Sequence, residues 1–203
     1  MKRLYSLVLI LAAVAVVAAA VKTTKTGTAR DSKATVALGA VVADFTLPDP
    51  DGHQHTLASL KGSKGTVVIF MATQCPVSNA YNERMQKLYA DYSARGVNVV
   101  GINSNVRELA AEVKEHAAEK GLKFTILKDT GNSIADRFDA QYTPEAYLLD
   151  ASGKLAYHGR IDNSRNGDSI TSTDLRDAVE AVLAGKPVER PEVKGFGCTI
   201  KRA

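Results

Sequence analysis

Residues 66–76 constrain this chain more than any other segment. Residues 66–72 read TVVIFMA, without a charge or a turn-forming residue. A continuous apolar run of this kind suits a strand buried on both faces, in a sheet covered by helices on either side. After it, Cys75-Pro76 opens a stretch with Val77, Tyr81, Met85, Leu88, Tyr89 and Tyr92. Their spacing defines one face of a helix over 76–94, which Gly96 ends. Proline is favoured at the first helical position, so Cys75 is expected at the N-cap. Unpaired backbone N–H groups and the positive end of the helix then point at its sulfur. Such a setting favours the thiolate and lowers a cysteine pKa from about 8.5 toward 7 or below. The bland alternative, a small buried hydrophobe, fits a loop-tip cysteine less well.

The rest of the chain alternates strand and helix. Residues 44–47, the turn Pro48-Asp49-Pro50-Asp51-Gly52 and residues 53–57 predict an N-terminal β-hairpin. Residues 97–102 form a second buried strand. Asn105 with Glu108 three residues later reads as a helix start, with Val106, Leu109, Ala110 and Val113 facing inward and Gly121 as the stop. A strand at 124–127 and a short helix at 133–138 follow. Then come a hairpin of 145–149 with 154–159, and a last helix at 173–184. This order implies an α/β fold with a central mixed β-sheet flanked by helices.

With 203 residues, 45% hydrophobic and 24% charged, the chain suits one domain plus appendages. The net charge is only +4, and no basic run interleaved with aromatics occurs, so nucleic acid is not an expected partner. Lys2 and Arg3, the uncharged run 4–21 and Ala18-Ala19-Ala20 read as a secretory signal peptide over 1–20. The alternative is an uncleaved anchor, the one case in which membrane association is expected. Residues 21–35 form a polar tether, 36–185 the folded domain, and 186–203 a tail. Either reading of the leader puts the domain in a periplasmic or other extracytoplasmic compartment, where disulfides persist. Cys75 and Cys198 are the two cysteines, so at most one internal bridge can form.

Phe70-Met71-Ala72-Thr73-Gln74-Cys75-Pro76-Val77-Ser78 resembles the active-site segment of the thioredoxin superfamily, nearest to its exported thioredoxin-like and redoxin branch. Tyr142-Thr143-Pro144-Glu145-Ala146-Tyr147 resembles the segment that carries this superfamily's cis-proline. The resemblance covers about 36–184 and implies a thioredoxin-like fold. It makes Cys75 the attacking thiol, with Thr143 and cis Pro144 presenting a backbone edge to substrate. Thr73, Pro76, Ser78, Asn79 and Arg84 become supporting residues. Ser78 stands where a second motif cysteine would be, so the resemblance leaves Cys198 as the candidate resolving thiol. Glycines on both sides of Phe196 would let that segment move. The implied partners are thiol or disulfide proteins and an external thiol reductant, with no cofactor.

Two other readings stay open. A peroxiredoxin-like thiol peroxidase shares the lone Cys-Pro. The proline and hydroxyl usual before that cysteine are replaced by Val68 and Ala72, and its arginine would be Arg84 or Arg160. The third reading is a non-catalytic binding or metal-carrying module. His53 and His55 share a strand face without a third ligand, which reads as surface and not as a metal site.

Overall fold

The computed structural model describes residues 35–203. The expected signal peptide at 1–20, and all but the last residue of the expected tether, lie outside the described residues. The chain opens with β1 (Thr46–Pro48) and β2 (Gln54–Thr56), paired as the antiparallel hairpin that the sequence predicts. β3 (Gly65–Met71) follows, and each of its seven residues is buried. Next come α1 (Pro76–Ala80), α2 (Asn82–Tyr92), β4 (Val97–Asn103), α3 (Ala110–Glu119), β5 (Thr125–Lys128) and α4 (Ser133–Phe138). The C-terminal part holds β6 (Tyr142–Thr143), β7 (Glu145–Asp150), β8 (Leu155–Gly159), α5 (Asp174–Leu183), β9 (Glu192–Val193) and β10 (Cys198–Thr199).

Six strands form the main sheet in the order β5-β4-β3-β7-β8-β9. β3 runs parallel to β4 and antiparallel to β7, so the sheet is mixed. Strand alternation explains why β3 is apolar throughout. Val67, Ile69 and Met71 enter a core with Tyr81, Met85, Leu88, Leu175 and Val179. Val68 and Phe70 enter the opposite core with Phe138, Tyr147, Leu57 and Ile200. Each such side chain contributes about 1.5–3 kcal/mol by leaving water. The result is the mixed, helix-flanked sheet of the thioredoxin-like fold. Among the described residues no helix is long and apolar enough to cross a membrane.

The structure corrects three expectations. The helix predicted over 76–94 is two helices, because the backbone flattens at Tyr81 (φ −97°, ψ −6°). The phenol of Tyr81 there donates to Asp162 Oδ1 at 2.9 Å. Asn105 and Glu108 do not start a helix. α3 begins at Ala110, where the Leu109 N–H donates to Glu112 Oε2 at 2.7 Å. Leu109, expected to face inward, is 66% exposed. Finally, the C-terminal segment is built into the fold. β9 pairs parallel with β8, and β10 pairs antiparallel with β6. Beyond β10, Ile200 is buried, and Arg202 Nε lies 2.9 Å from Asp136 Oδ1.

Candidate active site

Cys75 occupies the turn between β3 and α1 and caps α1, with Pro76 at the first helical position. The Ser78 N–H donates to Cys75 Sγ at 3.2 Å, meeting one of the donors that a helix start leaves without a backbone partner. Cys75 is bonded to Cys198, across a sequence separation of 123. The Thr143–Pro144 peptide is cis, and the Thr143 carbonyl oxygen lies 3.4 Å from Cys75 Sγ. β10 pairs along this same edge, with Cys198 opposite Thr143 and Thr199 opposite Tyr142. The structure thus brings together Cys75, Cys198, Thr143 and Pro144, which lie in three separate stretches of sequence.

Gly197 is needed for this approach. A Cβ there would sit 2.2 Å from the Thr143 carbonyl oxygen. Its contribution is therefore closeness to the edge, where the sequence suggested mobility. Phe196 beside it packs on Tyr81, ring centroids 6.4 Å apart.

The supporting residues act mostly through backbone. Ser78 is fully buried, and its Oγ accepts from the Ala72 N–H at 3.0 Å, tying the end of β3 to α1. Asn79 Nδ2 donates to the Thr73 carbonyl at 2.8 Å. The loop's main anchor is Glu108, which the sequence reading placed in a helix cap. Its Oε2 accepts from the Thr73 N–H at 2.8 Å, and its Oε1 from the Gln74 N–H at 3.1 Å. Asn103 and Asn105 donate to the same carboxylate. Burial alone would raise the Glu108 pKa. The hydrogen bonds from Thr73, Asn103, Asn105 and Gln74 outweigh it and hold the carboxyl below its ordinary value. Lys128 Nζ, buried beside this group, donates to Asn103 Oδ1 and the Asn105 carbonyl, each at 2.7 Å.

Asn105 also reaches the C-terminal segment. Its Oδ1 accepts from the Lys201 N–H at 2.7 Å, and the Val106 N–H donates to the Lys201 carbonyl at 3.1 Å. One Asn-Glu pair therefore braces the loops on both sides of the disulfide. The spacing that read as a helix start was a real signal for an Asn–Glu hydrogen bond. It carried no information about the loop that the carboxylate would hold.

Arg84 is not brought to the sulfur. Its Nη1 donates to both Asp162 oxygens and to the Ser164 carbonyl, each at 2.7 Å, and its guanidinium carbon lies 3.4 Å from the Tyr81 ring centre. Arg160 is paired with Asp174 at 2.7 Å. Both arginines considered for holding a thiolate are thus committed to carboxylates more than 70 and more than 10 residues away in sequence, respectively. The two histidines do acquire acidic neighbours. Asp49, Asp51 and His53 offer ligand atoms within 4.8 Å of one another. Asp49 Oδ2 already bonds His53 Nδ1 at 3.2 Å and His55 Nε2 at 3.0 Å, and Asp51 pairs with Lys114.

Known proteins resemble this chain in sequence and fold. Residues 38–158 match the AhpC/TSA family. The thiol-disulfide oxidoreductase ResA of Geobacillus kaustophilus is 31% identical over 123 residues, covering 61% of this chain and 69% of that protein. A hypothetical protein of Sinorhizobium meliloti 1021, known by crystal structure, superposes with a TM-score of 0.77 at 38% identity, covering 83% of this chain and 96% of that one. A secreted Mycobacterium tuberculosis disulfide oxidoreductase homologous to E. coli DsbE superposes with a TM-score of 0.54 at 25% identity, covering 68% and 95%.

Proposed function

The chain belongs to the AhpC/TSA family, and from that premise we propose that it is a thiol–disulfide oxidoreductase whose redox centre is the Cys75–Cys198 pair. The observation that carries this reading is the bridge itself, which lies at the strand–helix turn and against the cis-proline edge. A purely structural staple has no need of an N-capped sulfur, whose bond from the Ser78 N–H strengthens when the sulfur becomes a thiolate.

In the reduced protein, the Cys75 thiolate attacks a disulfide of an exported partner, forming a Cys75–partner disulfide and expelling the partner's other thiolate. Cys198 then attacks Cys75 Sγ, closes the internal bridge and releases the partner's second thiol. An external thiol, two equivalents per bridge, restores the reduced form. Run in reverse, the bridge oxidises a partner dithiol. Export is supported by the leader-like segment 1–20 and by the secreted relative. The commitment of Arg84 and Arg160 elsewhere favours disulfide exchange over peroxide reduction.

The test is stopped-flow exchange with a small aromatic disulfide. Cys75→Ser removes the fast phase and leaves only the slow reaction of the free Cys198 thiol. Cys198→Ser retains the first step and accumulates the Cys75 mixed disulfide, visible as an adduct by intact mass. A fast phase that survives Cys75→Ser would overturn the assignment.

A further inference from the structure

A cavity of about 240 Å³ opens directly beside the disulfide. Both cysteines line it, together with Asn105, Arg107, Glu108 and Lys201. This volume suits a small organic molecule and is below the usual size of larger ligand pockets. Its charged lining is two cations and one carboxylate, a net positive charge. Glu108 is buried, and both its oxygens are taken by the loop and by Asn103 and Asn105. Arg107 and Lys201 are exposed, and among the described residues neither is in an ion pair. The main chain of Lys201 is held at both its N–H and its carbonyl, which fixes where its side chain begins. Cys198 is the more exposed of the two residues, half-buried where Cys75 is only 3% exposed.

We propose that this cavity admits the external reductant and that the reductant is a small thiol bearing an additional negative charge, such as a carboxylate. The inference rests on the redox reading of the Cys75–Cys198 pair given above. The thiolate attacks Cys198 Sγ, forming a reductant–Cys198 disulfide. The Cys75–Cys198 bond breaks, and Cys75 leaves as a thiolate that accepts the Ser78 N–H. A second reductant thiolate attacks the reductant sulfur of that mixed disulfide. The reductant departs as its own disulfide, and Cys198 is left as a thiolate that takes a proton from water. Two thiols are oxidised and one protein disulfide is reduced. Arg107 and Lys201 raise the local concentration of the anion and hold its carboxylate clear of the reacting sulfur.

The experiment uses the oxidised full chain and compares 2-mercaptoethanesulfonate, 2-mercaptoethanol and cysteamine as anionic, neutral and cationic probes. Each reduction rate is divided by that thiol's rate on a small uncharged disulfide, which removes differences in thiolate fraction and intrinsic nucleophilicity. The expected order is anionic, neutral, cationic, with anionic over neutral by about fivefold at low salt. At about 1 M salt, where the Debye length is ~3 Å, the ratio falls toward one. Arg107→Gln and Lys201→Gln each lower the anionic-to-neutral ratio about twofold. Equal normalised rates for the three probes, or a ratio indifferent to both variants, would overturn the inference and leave the redox pair standing. A bridge that no thiol reduces, dithiothreitol included, would overturn the redox reading and this inference with it.

Discussion

At the scale of single residues, the proposed chemistry would rest on how firmly the turn before Cys75 is held. Glu108 accepts the Thr73 and Gln74 N–H groups and is itself oriented by Asn103 and Asn105. Its carboxyl sits below the ordinary value of 4.5 because these donors favour the ionised form. A depressed carboxyl stabilises the fold fully above its unfolded pKa and loses that contribution as pH falls through the folded one. Acid titration of the native protein should therefore show a stability loss that begins below about pH 4.5. Glu108→Gln should flatten that part of the profile while costing about 1–3 kcal/mol at neutral pH, where an amide turns one donor against a backbone N–H. Urea midpoints from pH 3 to 7 check both. An unchanged acid limb in the variant would remove Glu108 from this role.

At the scale of elements, the pairing of β10 with β6 matters most, because it seats Cys198 opposite Thr143. Gly197 permits it, since any Cβ there meets the Thr143 carbonyl at 2.2 Å. Overpacking of this kind costs about 1–3 kcal/mol. Gly197→Ala should make the bridge about tenfold easier to reduce in a thiol–disulfide buffer, with the main sheet unaffected by circular dichroism. A variant with an unaltered bridge equilibrium would show that the close approach is dispensable. This element also marks what the sequence could convey. The strand 66–72, the Cys-Pro helix start and the hairpins were legible because apolar period, proline and turn residues act over a few neighbours. Gly197 was misread, because a glycine signals freedom and close approach with the same letter. Arg84 was misplaced, because Asp162, which captures it, lies 78 positions away and no local pattern links them.

At the scale of the whole molecule, the bridge joins the N-terminal third of the domain to its final strand over 123 residues of sequence. On the chain-entropy account a closed loop of that length stabilises the fold by up to about 4–5 kcal/mol. Reduction should lower the urea midpoint accordingly yet leave the protein folded, since Ile200 and Arg202 still anchor the segment past Cys198. Coincident midpoints for oxidised and reduced protein would show that the bridge adds no stability. The same segment has a kinetic consequence. Residues 198–199 lie along the edge beside Pro144 where the strand of a partner would pair. A tethered occupant competes at an effective concentration on the order of millimolar or above. On the proposed reading, a protein partner arriving at the oxidised molecule would meet an occupied edge, and would gain the strand position only once the bridge is exchanged and residues 198–199 have moved aside. In this protein, bond making would come before backbone recognition, which makes the redox state of the bridge the condition for docking as well as its result.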